Sequence, residues 1–241
     1  MRVSVIVPAF NEERGLEASL RSIRTAMAVF DTAGWQSELI VCDNNSTDRT
    51  AGIAKATGAD VVFEPLNQIS RARNTGAAQA TGDWLVFVDA DSQPSAELFA
   101  DVARVIREGR AIAGGSTVRL DSQELAPRLV VGWWNMVSRM LKWAAGSFIF
   151  CEAAAFRELG GFNLDLYAAE DINFFRRLKR VARRARRKIV ILTAHPLVTS
   201  ARKATLYTPR EGFAFMVKTI ASRGRTLRNP GDCYQWYDGR R

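Results

Sequence analysis

Histidine is almost missing from this chain: His195 is the only one in 241 residues. A histidine-rich zinc centre is therefore excluded, as is any site needing two imidazoles. Cysteine is scarce as well. Cys42, Cys151 and Cys233 are scattered, odd in number and in no metal-ligand spacing. A reducing compartment fits them best. No uninterrupted apolar stretch reaches about 18 residues, so no membrane span is predicted. Met1-Arg2 leads straight into an apolar strand, without the longer apolar region of a secretion signal, so none is expected. No Gly-x-Gly-x-x-Gly follows the first strand, and no Walker A pattern occurs. A bound nucleotide would be held another way.

What is present is an ordinary globular composition and a strong positive surplus. With 47% hydrophobic residues, the chain can build one large α/β domain or two small ones. The net charge of +9 favours anionic partners: nucleotides, nucleic acid or an acidic membrane surface.

One stretch organises the rest. Trp84-Leu85-Val86-Phe87-Val88 is an apolar run that ends in Asp89-Ala90-Asp91. Its length and its flanks, Gly82 and Ser92-Gln93-Pro94, mark a strand buried on both faces. Such strands belong to parallel sheets covered by helices, whose ligands bind at the strand carboxyl ends. Residues two apart in extended chain point the same way, so Asp89 and Asp91 could share a hard divalent cation. The alternative is a polar turn in which both merely cap the next helix.

Val3–Val7, Glu38–Cys42 and Val61–Phe63 are three more strands, with amphipathic helices between them. Pro8 ends the first, and Asn11 is expected to cap the helix after it. An alanine-rich helix runs from Ser70 to Ala80, and Ser95 caps another that Gly109 ends. This alternation is the pattern of a βαβ sheet with right-handed crossovers. Ala111–Leu120 is a further strand region. Beyond it the alternation lapses. Arg128–Ala145 reads as a helix rich in tryptophan and methionine, Ser147–Cys151 as a strand, Ala153–Leu159 as a helix and Lys188–Leu192 as the last strand.

Several polar residues sit where chemistry could occur. Asp43 ends an apolar strand before any turn needs it, so a ligand role and a turn role are both open. Arg71, Arg73 and Asn74 open the Ser70 helix, where basic groups could meet phosphate. Glu170-Asp171 is a second acidic pair; one could act as general base while its neighbour contacts substrate or basic groups. Favourable helix N-terminal acids are the simpler alternative. His195 could complete a two-aspartate metal site or be an ordinary loop histidine. Nine of the thirteen residues from Arg176 to Lys188 are Lys or Arg. So dense a run suits an anionic membrane or a phosphorylated acceptor. Nucleic acid is disfavoured, since no aromatic residue interrupts the run. Trp133, Trp134 and Trp143 read most simply as core or interface residues; tryptophan also stacks on sugar faces and sits at membrane interfaces, and the sequence does not separate these uses.

Taken together, five segments resemble the family 2 glycosyltransferases with a GT-A fold. They are VSVIVPAFNEE (3–13), VCDNNSTDRT (41–50), ISRARNTGAAQATGDWLVFVDADSQP (69–94), GSFIFCEAAAFRELGGFNLDLYAAED (146–171) and HPLVTSARK (195–203). The resemblance implies a Rossmann-like, mostly parallel central sheet flanked by helices in a single domain over 1–205. Residues 1–110 would bind the nucleotide sugar, 111–205 the acceptor, and 206–241 would form a basic tail. It also implies roles. Pro8, Ala9, Glu12 and Asp43 would hold the base and ribose, Arg73 would lie near the base or phosphates, and Asp89 near the ribose. Asp91 would ligate Mn²⁺ or Mg²⁺ with help from Asp89, and His195 would be a further metal or phosphate contact. Asp171 would be the catalytic base, with Glu170 beside it near the acceptor.

The implied activity is inverting transfer of one sugar from a nucleotide-diphospho-sugar, UDP before GDP, to a hydroxyl of a glycan, lipid-linked or small-molecule acceptor. No Gln-x-x-Arg-Trp of processive synthases is present. A cytoplasmic place, peripheral on the inner face of the membrane, and a part in cell-envelope polysaccharide synthesis would follow. Asp43-Asn44-Asn45 departs from the family's usual two acids and a glycine, which leaves base preference open. Two other readings compete. A nucleotidyltransferase would need a glycine-rich basic loop after the first strand, which Pro8–Glu12 is not. A non-catalytic module would bind membrane or nucleic acid through Arg176–Lys188.

Overall fold

The computed structural model describes residues 1–201, 211, 215, 218–219, 221–222 and 224–233. Among these residues, eight strands form one sheet, flanked by helices. They are β1 (Arg2–Ala9), β2 (Gln36–Asp43), β3 (Asp60–Phe63), β4 (Trp84–Val88), β5 (Ser92–Gln93), β6 (Ala111–Leu120), β7 (Phe148–Glu152) and β8 (Lys188–Thr199). The helices are α1 (Leu16–Thr32), α2 (Thr50–Ala56), α3 (Ile69–Gln79), α4 (Ala96–Glu108), α5 (Leu125–Leu141), α6 (Ala153–Glu158) and α7 (Glu170–Arg184). The strand order is β3-β2-β1-β4-β7-β6-β8-β5. β1 to β4 run parallel, whereas β7 is antiparallel to both its neighbours.

The apolar runs explain the layers. Val3, Val5 and Val7 of β1 and Trp84, Val86 and Val88 of β4 pack on one face, with Leu20, Phe30 and Phe99 of α1 and α4. Ile6, Leu85 and Phe87 face the other way, towards Phe156, Phe162 and Phe174. Strands buried on both faces cannot alternate apolar with polar residues, which is why they read as continuous runs. From β1 the chain runs outward through β2 to β3, then crosses back to place β4 on the other side of β1. The strand order reverses there, and the carboxyl ends of the strands open a crevice.

Three local expectations change. Asn11 does not cap α1, which starts at Leu16 after Gly15. It sits at φ +51° and accepts a hydrogen bond from Thr47 N–H at 2.8 Å, so it ties the β1 loop to the β2 loop. β8 does not stop at Leu192 but continues to Thr199. Its register against β6 jumps between the pairs Ser116–Leu192 and Val118–Leu197. Residues 193–196 therefore bulge out of the ladder, where Pro196 needs no ladder donor. Finally, the basic run, expected to meet an anionic partner, is tied in part to the chain itself. Arg177 donates to the carbonyls of Leu159 and Gly161, Lys179 to that of Leu141, and Arg184 and Arg187 pair with Glu158 and Glu152. Much of the expected basic tail 206–241, Trp236 included, lies outside the described residues. No helix among those described is long and apolar enough to cross a membrane.

Candidate active site

A cleft of about 490 Å³ opens at the carboxyl ends of β1 and β4. Pro8, Ala9, Phe10 and Glu12 line it from the end of β1 and the loop after it. Asp89, Ala90 and Asp91 line it after β4, and Ala145, Gly146 and Ser147 before β7. The start of α7 contributes Ala169, Glu170 and Asp171.

Arg73 of α3 knits these walls together. Its guanidinium is buried, with Nη1 2.7 Å from Glu170 Oε1 and Nη2 3.1 Å from Asp89 Oδ1. Nη2 also donates to the Gly146 carbonyl at 2.9 Å. The Phe162 ring lies 5.2 Å from the guanidinium carbon. A planar fork can meet three acceptors at once, which a lysine ammonium on one stem does less well. Arg73 can lie this deep because α3 packs closely on β1. A Cβ at Gly76 would stand 2.6 Å from Ile6 Cγ2. Gly146 keeps the cleft side clear in the same way, since a Cβ there would meet Arg73 Nη2 at 3.0 Å and Asp171 Oδ2 at 3.2 Å.

Glu170 and Asp171 take different environments although they are adjacent. Successive residues on a helix point about 100° apart. Glu170 is buried against Arg73. Burial, and then the neighbouring Asp171 charge, push its carboxyl up to about 7, against the pull of Arg73. Asp171 is only partly buried. Its Oδ1 accepts from Ile172 N–H at 2.7 Å. Burial raises its pKa too, while Arg73 and backbone donors from Ile172 and Gly146 oppose the rise. Ala169, in the left-handed region at φ +59°, starts α7 and turns both acids towards the cleft. A non-glycine residue there is strained, and such strain gathers at functional sites.

Asp43 ends β2 beside Ala9, its register partner on β1. It is buried just behind the cleft lining and accepts from Ser46 N–H at 3.2 Å. Asn44, not an expected site residue, lines the cleft itself. Its amide donates to the carbonyls of Glu64 and Leu66 and accepts from Gln68 N–H at 2.9 Å. It therefore locks the segment before α3. An uncharged asparagine gives no sequence signal of such a role. The tail was equally unreadable, yet Phe215 and Leu227 line the cleft and Leu227 accepts from Tyr167 N–H at 2.7 Å.

His195 is the correction. It lies in the β8 bulge and pairs with Asp101 of α4, Nδ1 to Oδ2 3.0 Å, on the exposed surface. It does not line the cleft. The bulge carries it out of the ladder, so a position just past Leu192 is not a position beside Asp91. Among the described residues no group of three or more histidine, cysteine or acidic side chains could hold a metal. The cleft offers Asp89 and Asp91. That donor set fits a hard cation such as Mg²⁺ or Mn²⁺, which takes its other ligands from phosphate and water. Arg73 holds one Asp89 oxygen, and the Thr199 hydroxyl lies 3.5 Å from Asp91 Oδ1.

The profile of glycosyl transferase family 2 matches residues 4–159, well over half of the chain. The chain belongs to that family. The matched region contains Asp43, Asp89 and Asp91 and ends before Glu170 and Asp171. An undecaprenyl-phosphate 4-deoxy-4-formamido-L-arabinose transferase of Klebsiella pneumoniae is 32% identical over 152 residues, 60% of this chain and 44% of the relative. The chain thus spans less than half of that relative's length. Among solved structures, the mannosyltransferase PcManGT of Pyrobaculum calidifontis, in complex with GDP-Man and Mn²⁺, superposes with a TM-score of 0.69 at 19% identity. That superposition covers 98% of this chain and 73% of the other. TarS of S. aureus in complex with UDP-GlcNAc gives 0.66 at 22% identity, over 98% and 69%. The expected GT-A fold is therefore the one found.

Proposed function

We propose that this glycosyltransferase moves one sugar from a nucleotide-diphospho-sugar to an acceptor hydroxyl with inversion at the anomeric carbon. The observation that carries the reading is the gathering of Asp91 and Asp171 in one cleft, with Arg73 bound to the neighbour of each: Asp89 on one wall and Glu170 on the other. Pro8, Ala9, Glu12 and Asn44 form the surface for base and ribose, with Asp43 behind them. Asp91, with Asp89, would hold Mg²⁺ or Mn²⁺. When bound, the cation neutralises charge on the departing pyrophosphate as a Lewis acid. Arg73 holds the carboxylates in place, with three of its five N–H donors bound to Glu170, Asp89 and the Gly146 carbonyl.

Asp171 takes the proton from the attacking hydroxyl. A carboxylate with a raised pKa is a stronger base than an ordinary one. A phosphate acceptor would already be anionic and would need no such base, so a hydroxyl of a glycan or lipid-linked acceptor is favoured. Glu170, held by Arg73, is not free to act as a nucleophile, which supports single displacement and hence inversion. UDP is proposed as the nucleotide.

The test is a pair of variants. Asp91→Asn should lose Mn²⁺-dependent binding of UDP in a calorimetric titration. Asp171→Asn should bind UDP normally and lose turnover by about 100-fold or more, the usual contribution of a general base. Normal Mn²⁺-dependent binding in the first, or retained turnover in the second, would remove that residue from its role.

A further inference from the structure

α5 exposes an apolar stripe. Leu125, Leu129, Trp133, Met136 and Met140 are between 45% and 73% exposed. At about 100° per residue, these five fall within an arc of about 80° on one side of the helix. Val130 and Leu141 extend its edge. Of the eleven large exposed hydrophobic side chains among the described residues, seven belong to this helix. The opposite side faces the sheet. Asn135 there donates to the Val118 carbonyl at 2.8 Å and accepts from Val118 N–H at 2.9 Å, and Ser138 is buried. The orientation of the helix is thus held, with the apolar arc outward.

The surroundings of the arc are cationic. Arg128 and Arg139 lie along one border of the stripe by the same helical geometry. At the C-terminal end of α5, Lys179 of α7 donates to the Leu141 carbonyl at 2.5 Å, with its ammonium 5.4 Å from the centre of the Trp143 ring. Arg176 and Arg183 lie about one helical turn to either side of Lys179 on α7, and burial first, then their charges, lowers its pKa. The basic run therefore adjoins the apolar helix through Lys179.

We propose that α5 is an interfacial helix whose outer stripe inserts into an anionic lipid surface, while Arg128, Arg139, Arg176 and Arg183 meet the headgroups. An apolar arc bordered by cations is the pattern of helices that lie in the membrane plane, and tryptophan favours that interface. A second copy of the chain is the poorer occupant. Face-to-face packing of two such helices would oppose cations to cations between chains that each carry +9. The placement has a consequence for the site. Ala145, Gly146 and Ser147, a few residues beyond α5, line the cleft, so docking would set the cleft close to the lipid surface. The inference stands on the exposed helix and not on the sugar-transfer reading.

The test is flotation of the full chain with phosphatidylcholine vesicles, with and without about 30% phosphatidylglycerol. The chain should float with the anionic vesicles, and about 0.5 M salt should weaken that binding. The double variant Leu129→Glu/Met140→Glu should lose binding by about tenfold or more. Its circular dichroism and Tm should be unchanged, because both side chains are exposed. Trp133→Phe should still float but lose most of the quenching of tryptophan fluorescence by brominated lipid. Failure of the native chain to float, or undiminished flotation of the double variant, overturns the proposal. So does a native dimer that the double variant dissolves without any vesicle binding, which would make a second copy the occupant.

Discussion

Replacing Arg73 by glutamine should destabilise the chain more at pH 8 than at pH 5. The guanidinium is buried between Asp89 and Glu170, at 3.1 Å and 2.7 Å. Removing one partner of a buried ion pair leaves an uncompensated charge, at a cost of about 3–5 kcal/mol. For a chain of this length about 1 kcal/mol moves Tm by about 2–4 °C, so a fall of about 10 °C is expected at pH 8. The pH dependence follows from the stranded acids. A carboxyl whose folded pKa is raised above its unfolded value contributes stability below the unfolded value. That stability is lost as pH rises through the folded one. Glu170 is already raised to about 7 with Arg73 present, and losing the arginine raises it further. At pH 5 the raised Glu170 carboxyl is largely protonated, so the variant then loses mainly the Asp89 and Gly146 contacts. Differential scanning calorimetry at the two pH values measures the gap. A gap below about 3 °C at pH 8, or one that does not change with pH, would refute Arg73 as the buried clamp. Arg73→Lys should recover part of the loss, since one ammonium keeps the charge but not the fork.

Turnover should fall as pH drops through the apparent pKa of the Glu170–Asp171 pair, because the base is then protonated. Glu170→Gln should move that acid limb of kcat/KM to lower pH by removing a like charge beside Asp171; an unmoved limb would uncouple the two. His195→Ala should leave Mn²⁺ dependence unchanged and cost at most about 1 kcal/mol, as exposed pairs do. A lost metal requirement would return His195 to the site. Asn135→Leu should cost about 2 kcal/mol in denaturant titrations by leaving Val118 N–H and C=O unpaired, and should speed hydrogen exchange at Val118 N–H. Slow exchange there would show that α5 is not held by this side chain.

Much of the scaffold was legible because burial leaves a local trace. The run Trp84–Val88 had to be a strand covered on both faces, and its carboxylates had to stand at a strand end. Asp43 carried the same signal. Ser95 and Gly109 marked the ends of α4 by chemistry within a few residues, with the Ser95 hydroxyl accepting from Leu98 N–H and Gly109 at φ +67°. These features depend on the helical and strand periods and on backbone conformation, which neighbouring residues decide.

The partners of the polar groups were not legible in that way. Arg73 and Glu170 are 97 residues apart, and only the packing of α3 and α7 on one face of the sheet brings them together. Glu170 and Asp171 look equivalent in sequence; the tertiary environment buries one and leaves the other open to the cleft. A bulge of a few residues sent His195 to Asp101, and no periodicity announces a bulge. The tryptophans of α5 were expected as core, interface, sugar-stacking or membrane-interface residues, and only the fold shows which side of the helix is exposed. By itself the sequence determined most of the strands and helices and the acids at the strand ends, but not the edge strand Ser92–Gln93 or the continuation of β8 to Thr199. The tertiary structure decided which charges meet and which apolar surface stays exposed, since these depend on chain crossovers that local pattern does not record.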